Sequence, residues 1–128
     1  MLIRTWALDA VTIIDLHGRF GVESRGALVN ALSDLLRTGR RDIVLNLLGV
    51  TSVDAAGIGE LASTFCEVRK HGGVLKIVVR GEKVRELLIR THLLSRLSAF
   101  STEAEAIASF EPRYRLAVPP PATVTAPA

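Results

Sequence analysis

A near-continuous apolar run that leads straight into a helix start constrains this chain more than any other feature. Ile43, Val44, Leu45, Leu47 and Leu48 leave little room for a polar face. Such a run reads as an interior strand buried on both faces, the habit of parallel sheets. The segment TSVDAAGIGEL, residues 51–61, follows it, and from Ala55 to Lys70 the period becomes helical. Ile58, Leu61, Ala62, Phe65 and Val68 make one stripe, with Glu60, Ser63, Thr64, Glu67 and Lys70 largely outside it. His71-Gly72-Gly73 stops the helix, and Val74 to Val79 reads as the next strand. Strand, connector, helix and strand in that order imply a right-handed βαβ crossover.

The flanking segments extend the pattern. Residues 2–8 and 10–17 are two strand-like runs, and Asp9-Ala10 between them suits a tight hairpin turn. Gly18-Arg19-Phe20-Gly21 breaks the second run. Residues 22–38 place Leu28, Ala31, Leu32, Leu35 and Leu36 at helical offsets, and Gly39 is a good stop. Residues 81–90 predict a short helix facing inward through Val84, Leu87 and Leu88, and 97–100 a short strand. Thr102 and Glu105 form a capping-box pattern that opens a last helix to about Phe110. The expected architecture is α/β: one domain, a mainly parallel mixed sheet of about five strands, four helices and an N-terminal β-hairpin. The domain is expected over 1–111. Residues 112–128 read as a Pro-rich tail, mobile or extended.

Composition excludes several classes. A chain of 128 residues with 48% hydrophobic and 23% charged residues suits one globular core without disulfides. Its one cysteine, Cys66, has no metal-ligand spacing around it and reads as a core or half-buried residue. No apolar run reaches membrane-spanning length, so no direct membrane insertion is expected and the protein reads as soluble and cytoplasmic. The net charge of +3 is spread over many segments without aromatic interleaving, which argues against a nucleic-acid partner.

Enzymatic signals are thin. His17, His71 and His92 sit at a strand end, a helix end and a loop, where solvated or capping roles fit best. Asp15 and Asp54 could approach one another at strand ends, yet no third group suggests acid–base work. No nucleophile–base pair, metal set or cofactor loop can be assembled. Neither the P-loop nor the dinucleotide fingerprint is present. The local chemistry of 51–61 is that of a built helix start. Asp54 is placed to cap it, Ala55 and Ala56 keep the first turn open, and Gly57 and Gly59 each cost roughly 1 kcal/mol of helix propensity. That cost suggests close backbone packing or a partner approaching the helix start. Thr51 and Ser52 offer either turn hydrogen bonds or phosphorylatable hydroxyls.

Three stretches together resemble the STAS family of anti-sigma factor antagonists. They are IVLNLLGVTSVDAAGIGELAS (43–63), KHGGVLKIVV (70–79) and VRELLIRTHLLSRLSAFSTEAEAI (84–107). With the N-terminal β-β-α the resemblance spans about residues 1–110. It implies a non-enzymatic, cofactor-free module that binds an anti-sigma factor or serine kinase in partner switching. The family commonly carries a phosphorylated serine after the motif aspartate. Here that position is Ala55, which has no hydroxyl, and Ser52 and Thr51 are the candidate substitutes. The family's acidic residue after the second-strand glycine is replaced by Arg19, followed by Phe20. The resemblance thus points to partner binding through Asp54, Ala55, Ala56, Gly57, Ile58, Arg19 and Phe20. It leaves two other roles open: a separate subunit docking on a transporter ATPase subunit, and a scaffold subunit of a stress-signalling assembly. A homodimer is compatible with each.

Overall fold

The first two strands form a hairpin because a two-residue turn lets them. In the computed structural model, which describes residues 1–79, 86 and 98–110, β1 (Leu2–Leu8) runs antiparallel to β2 (Val11–Phe20). Asp9 sits at φ 50, the left-handed conformation that tight hairpin turns require and aspartate tolerates. The remaining strands are β3 (Asp42–Val53), β4 (Val74–Val78) and β5 (Ser98–Phe100). They pair in parallel, and the sheet order is β1-β2-β3-β4-β5. Three helices are described: α1 (Ala27–Arg37), α2 (Ala55–Lys70) and α3 (Glu103–Ala108). The mixed α/β architecture with its five-stranded sheet is the expected one. The predicted helix at 81–90 apart from Glu86, together with His92 and the 112–128 tail, lies outside the described residues.

The sheet divides two apolar layers. One face packs Ile14, Leu16, Ile43 and Leu45 against Leu28, Leu32 and Leu36 of α1 and Leu61 and Val68 of α2. The other packs Val11, Ile13, Val44 and Val78 under Ala106 and Ile107 of α3. Ile43 through Leu47 are buried without interruption, as a strand sandwiched between helical layers must be, and burial stops one residue short of the expected run, at Leu48, which is 37% exposed.

Four local readings change. Gly18 to Gly21 does not end β2. The strand runs to Phe20 through irregularities after Asp15 and Gly18, with Gly18 at φ 102. That shift keeps β2 paired with β3, so Thr51 and Ser52 belong to β3 rather than to a turn, and Arg19 faces Ser52 across the ladder. Residues 22–38 are not one helix. A 3-10 turn at Val22–Ser24 precedes α1, and Gly26 at φ 87 separates them, because a left-handed residue cannot propagate a helix. Cys66 is exposed rather than buried, lying on the solvent side of α2.

Candidate functional site

Asp54 organises the end of the sheet where β2 and β3 stop. Its φ of −107 and ψ of −177 are the extended values of a helix N-cap. One carboxylate oxygen, Oδ1, accepts the Gly57 N–H at 3.0 Å. The other, Oδ2, reaches 32 residues back along the chain and accepts the Val22 N–H at 3.1 Å. The Asp54 N–H in turn donates to the Phe20 carbonyl at 3.3 Å. One side chain therefore caps α2 and clasps the β2–α1 connection to it. These backbone donors, Val22 before Gly57, hold its carboxyl below the usual carboxylate range, and Arg25 adds a smaller pull in the same direction.

Two glycines make the clasp geometrically feasible. A Cβ at Gly21 would collide with the Asp54 carboxylate, and a Cβ at Gly57 would collide with the Phe20 carbonyl. Gly57 thus has a packing reason. Gly59 meets nothing within 4 Å, so close packing does not account for it.

Around the clasp lies a cleft of about 630 Å³, lined by Arg19–Glu23 and Thr51–Asp54. Its rim mixes charges. Arg19 and Glu23 face each other at 3.6 Å, both largely in solvent. Thr51, Ser52, Asp54 and Ala55 are exposed, and Ala56 is half-buried. Gly57 is buried, and Ile58 packs partly into the main core. Phe20 is only 1% exposed and belongs to the core, so its ring cannot serve as an apolar contact for a partner. The strand's alternation turns Phe20 inward and leaves Arg19 outside. The apolar group that the cleft does present is Val22, 61% exposed, which the sequence reading missed.

A second omission is Glu60. It falls outside the apolar stripe of α2, yet it is only 8% exposed. Gly26 gives α1 no side-chain cap, and Glu60 supplies one from the neighbouring helix. Oε1 accepts from the Gly26 N–H at 3.2 Å, and Oε2 from Leu28 and Val29 at 2.9 and 3.2 Å. Thr64, also buried, donates to the Glu60 carbonyl at 2.8 Å. The sequence signal was indirect: a helix opening on Gly26 and Ala27 has orphan N–H groups that something must satisfy.

The other titratable candidates do not join this site. Asp15 lies within β2 opposite Arg4 and Asn46, and its partner is His17, whose Nε2 is 2.8 Å away. It does not pair with Asp54. His71 caps the end of α2 through the Glu67 carbonyl. Among the described residues no group of three His, Cys, Asp or Glu side chains could hold a metal ion, and no helix is long and apolar enough to cross a membrane.

Comparison with known proteins places the fold. The family model for the STAS domain matches residues 4–106. The chain belongs to the STAS family. An anti-sigma factor antagonist from Mycobacterium paratuberculosis superposes with a TM-score of 0.77 at 21% identity, covering 84% of this chain and 92% of that one. A Thermotoga maritima protein described as an anti-sigma factor antagonist gives 0.78 at 24% identity, with the same coverages of 84% and 92%. The unphosphorylated form of the anti-sigma factor antagonist SpoIIAA gives 0.68 at 16% identity, over 85% and 97%. These neighbours share the fold of this STAS domain. No curated protein matches the sequence closely.

Proposed function

We propose that this STAS domain is a non-enzymatic, anti-sigma factor antagonist-like module that docks an anti-sigma factor or serine kinase. Docking would use the cleft and the first turn of α2. The observation that carries this reading is the Asp54 clasp. It fixes the β2–α1 connection against the start of α2 and leaves Ala55 exposed beside it. A side chain at that position stands at the middle of the presented surface. A phosphate there would add about 1.5 to 2 negative charges, enough to repel a docked partner. With Ala55 in place, docking is unswitched at this residue, and control passes to partner abundance or to Ser52 or Thr51. Arg19, Val22 and Ala55 form the contact, and Asp54 and Gly57 set its shape.

The test is titration of the purified protein against purified anti-sigma-factor kinase domains, with and without ATP. Wild type should bind equally in both conditions where control lies in partner abundance, and should be released by ATP only with phosphate on Ser52 or Thr51, read by mass spectrometry. Ala55→Glu and Val22→Arg, both at exposed positions, should each weaken binding more than tenfold without altering the fold. Ala55→Ser should bind like wild type without ATP and be released with it. Wild-type binding that neither Ala55→Glu nor Val22→Arg changes would place the interface elsewhere. The earlier alternatives, a transporter subunit or a stress-complex scaffold, gain no specific observation from the site.

A further inference from the structure

The outer edge of β1 has the form of a self-complementary interface. Sheet edges normally carry a guard: short length, charged side chains, a proline or a bulge. β1 is seven residues long, pairs with β2 in unbroken register from Leu2 to Leu8, and reads LIRTWAL, without proline and with Arg4 as its one charge. It ends the sheet order, so among the described residues no strand pairs with its outer side. Leu2 is 50% exposed on this edge.

The hairpin fixes which backbone groups face out. A two-residue turn makes its flanking residues, Leu8 and Val11, a hydrogen-bonded pair. By alternation Leu8, Trp6, Arg4 and Leu2 direct their N–H and C=O groups to β2. Ile3, Thr5 and Ala7 direct theirs outward. Those three are centred on Thr5. We infer that two copies of this chain pair antiparallel through β1, with the two-fold axis at Thr5. Thr5 then meets the partner's Thr5, and Ile3 meets the partner's Ala7, each pair exchanging two hydrogen bonds.

The side chains select the same register. Centred on Thr5, Arg4 lies opposite the partner's Trp6, a cation–π pairing, and Leu2 lies opposite the partner's Leu8. A shift by two residues toward the N-terminus sets Arg4 directly against the partner's Arg4, which is repulsive. The opposite shift sets Ile3 against the partner's Asp9 in the turn and loses pairing. The contact is isologous, so it closes at a dimer rather than propagating. No β1 residue lines the Asp54 cleft, so the dimer leaves that cleft open.

The experiment uses the full chain. Light scattering across a concentration series should show twice the 13.8 kDa chain mass, falling to one chain for Thr5→Pro. The Thr5 N–H points away from β2, so this change spares the hairpin ladder, which circular dichroism verifies. Register is read by crosslinking in a Cys66→Ser background, because Cys66 is exposed. Thr5→Cys should give a covalent dimer on mild oxidation, since a hydrogen-bonded pair places Cα atoms about 5.5 Å apart, within disulfide reach. Ala7→Cys should stay monomeric on a non-reducing gel, because its copies lie four residues apart in this register. A single-chain mass at all concentrations, a dimer that Thr5→Pro leaves intact, or crosslinking of Ala7→Cys in place of Thr5→Cys would each overturn the proposal. None of these readouts depends on the docking partner.

Discussion

Helices α2 and α3 both begin beside a carboxylate, and the two carboxylates are shifted in opposite directions. At α2, Asp54 is exposed, accepts backbone N–H groups from Val22 and Gly57, and is held below the ordinary range. At α3 the Glu105 N–H is already taken by another side chain. Thr102 Oγ1 accepts from the Glu105 N–H at 3.1 Å and donates to the Glu105 carboxylate, completing the cap. Glu103 is left over in the same first turn, 5% exposed, facing Asn46 and Asp15. Its Oε2 has no hydrogen-bond partner among the described residues. Burial pushes this carboxyl up to about 7, against a smaller opposing effect of its hydrogen bond with Asn46. Both groups stand at the positive end of a helix dipole, so the dipole alone does not decide protonation. Burial and the supply of donors decide it together.

Glu60 is buried like Glu103 yet accepts from three N–H donors. Glu60→Ala should therefore give the largest loss of any change considered, about 4 kcal/mol, by orphaning the first turn of α1. Glu60→Gln keeps an acceptor oxygen and should recover roughly half of that. Urea midpoints at neutral pH measure both. Equal losses would mean that the carboxylate's charge, rather than its acceptor geometry, holds the helix.

The pH dependence of Glu103 is the next largest effect. A folded value of about 7 against an ordinary 4.5 means that the folded state holds the proton more tightly. Stability from this group is full below about 4.5 and is lost as pH rises through about 7, on the order of 3 kcal/mol. Glu103→Gln removes this loss, so it should be more stable than wild type at pH 8 and indistinguishable at pH 4. Asp54 acts in a separate window with the opposite sign. Its contribution is present above its ordinary 3.8 and is lost as pH falls through its lower folded value. A wild-type profile that is flat between pH 4.5 and 7.5 would refute the Glu103 assignment.

This contrast also explains what the sequence did and did not reveal. The buried strand, the hairpin turn and the span of α2 follow from local period and turn chemistry, and Asp54 was legible as a cap because capping is local. Its second bond, to Val22, was not, because it joins segments 32 residues apart. Glu60 and Glu103 look like solvated helix charges in sequence. Their burial depends on a glycine-led helix next door and on a sheet face beneath. Phe20 was ambiguous until the bulge at Gly18 and Arg19 set its side of the strand. The family resemblance supplied what periodicity could not, the expectation of a switch residue at position 55 on which the proposed function rests.

The smallest effects come from two glycines of one helix turn that the sequence cannot tell apart. Gly57 lies against the Phe20 carbonyl, and that carbonyl is held in place by the Asp54 N–H. Gly57→Ala must push the clasp open, so the clash outweighs the gain in helix propensity and the net loss should be about 2 kcal/mol. Gly59 is exposed with open space around it. Gly59→Ala should stabilise by up to about 1 kcal/mol, because alanine restricts the unfolded chain and favours the helix. Thermal melts of both variants give the signs directly. Opposite signs would show that only Gly57 serves the clasp. A destabilising Gly59→Ala would mean that the open first turn of α2 matters to the folded state in a way its surroundings do not show.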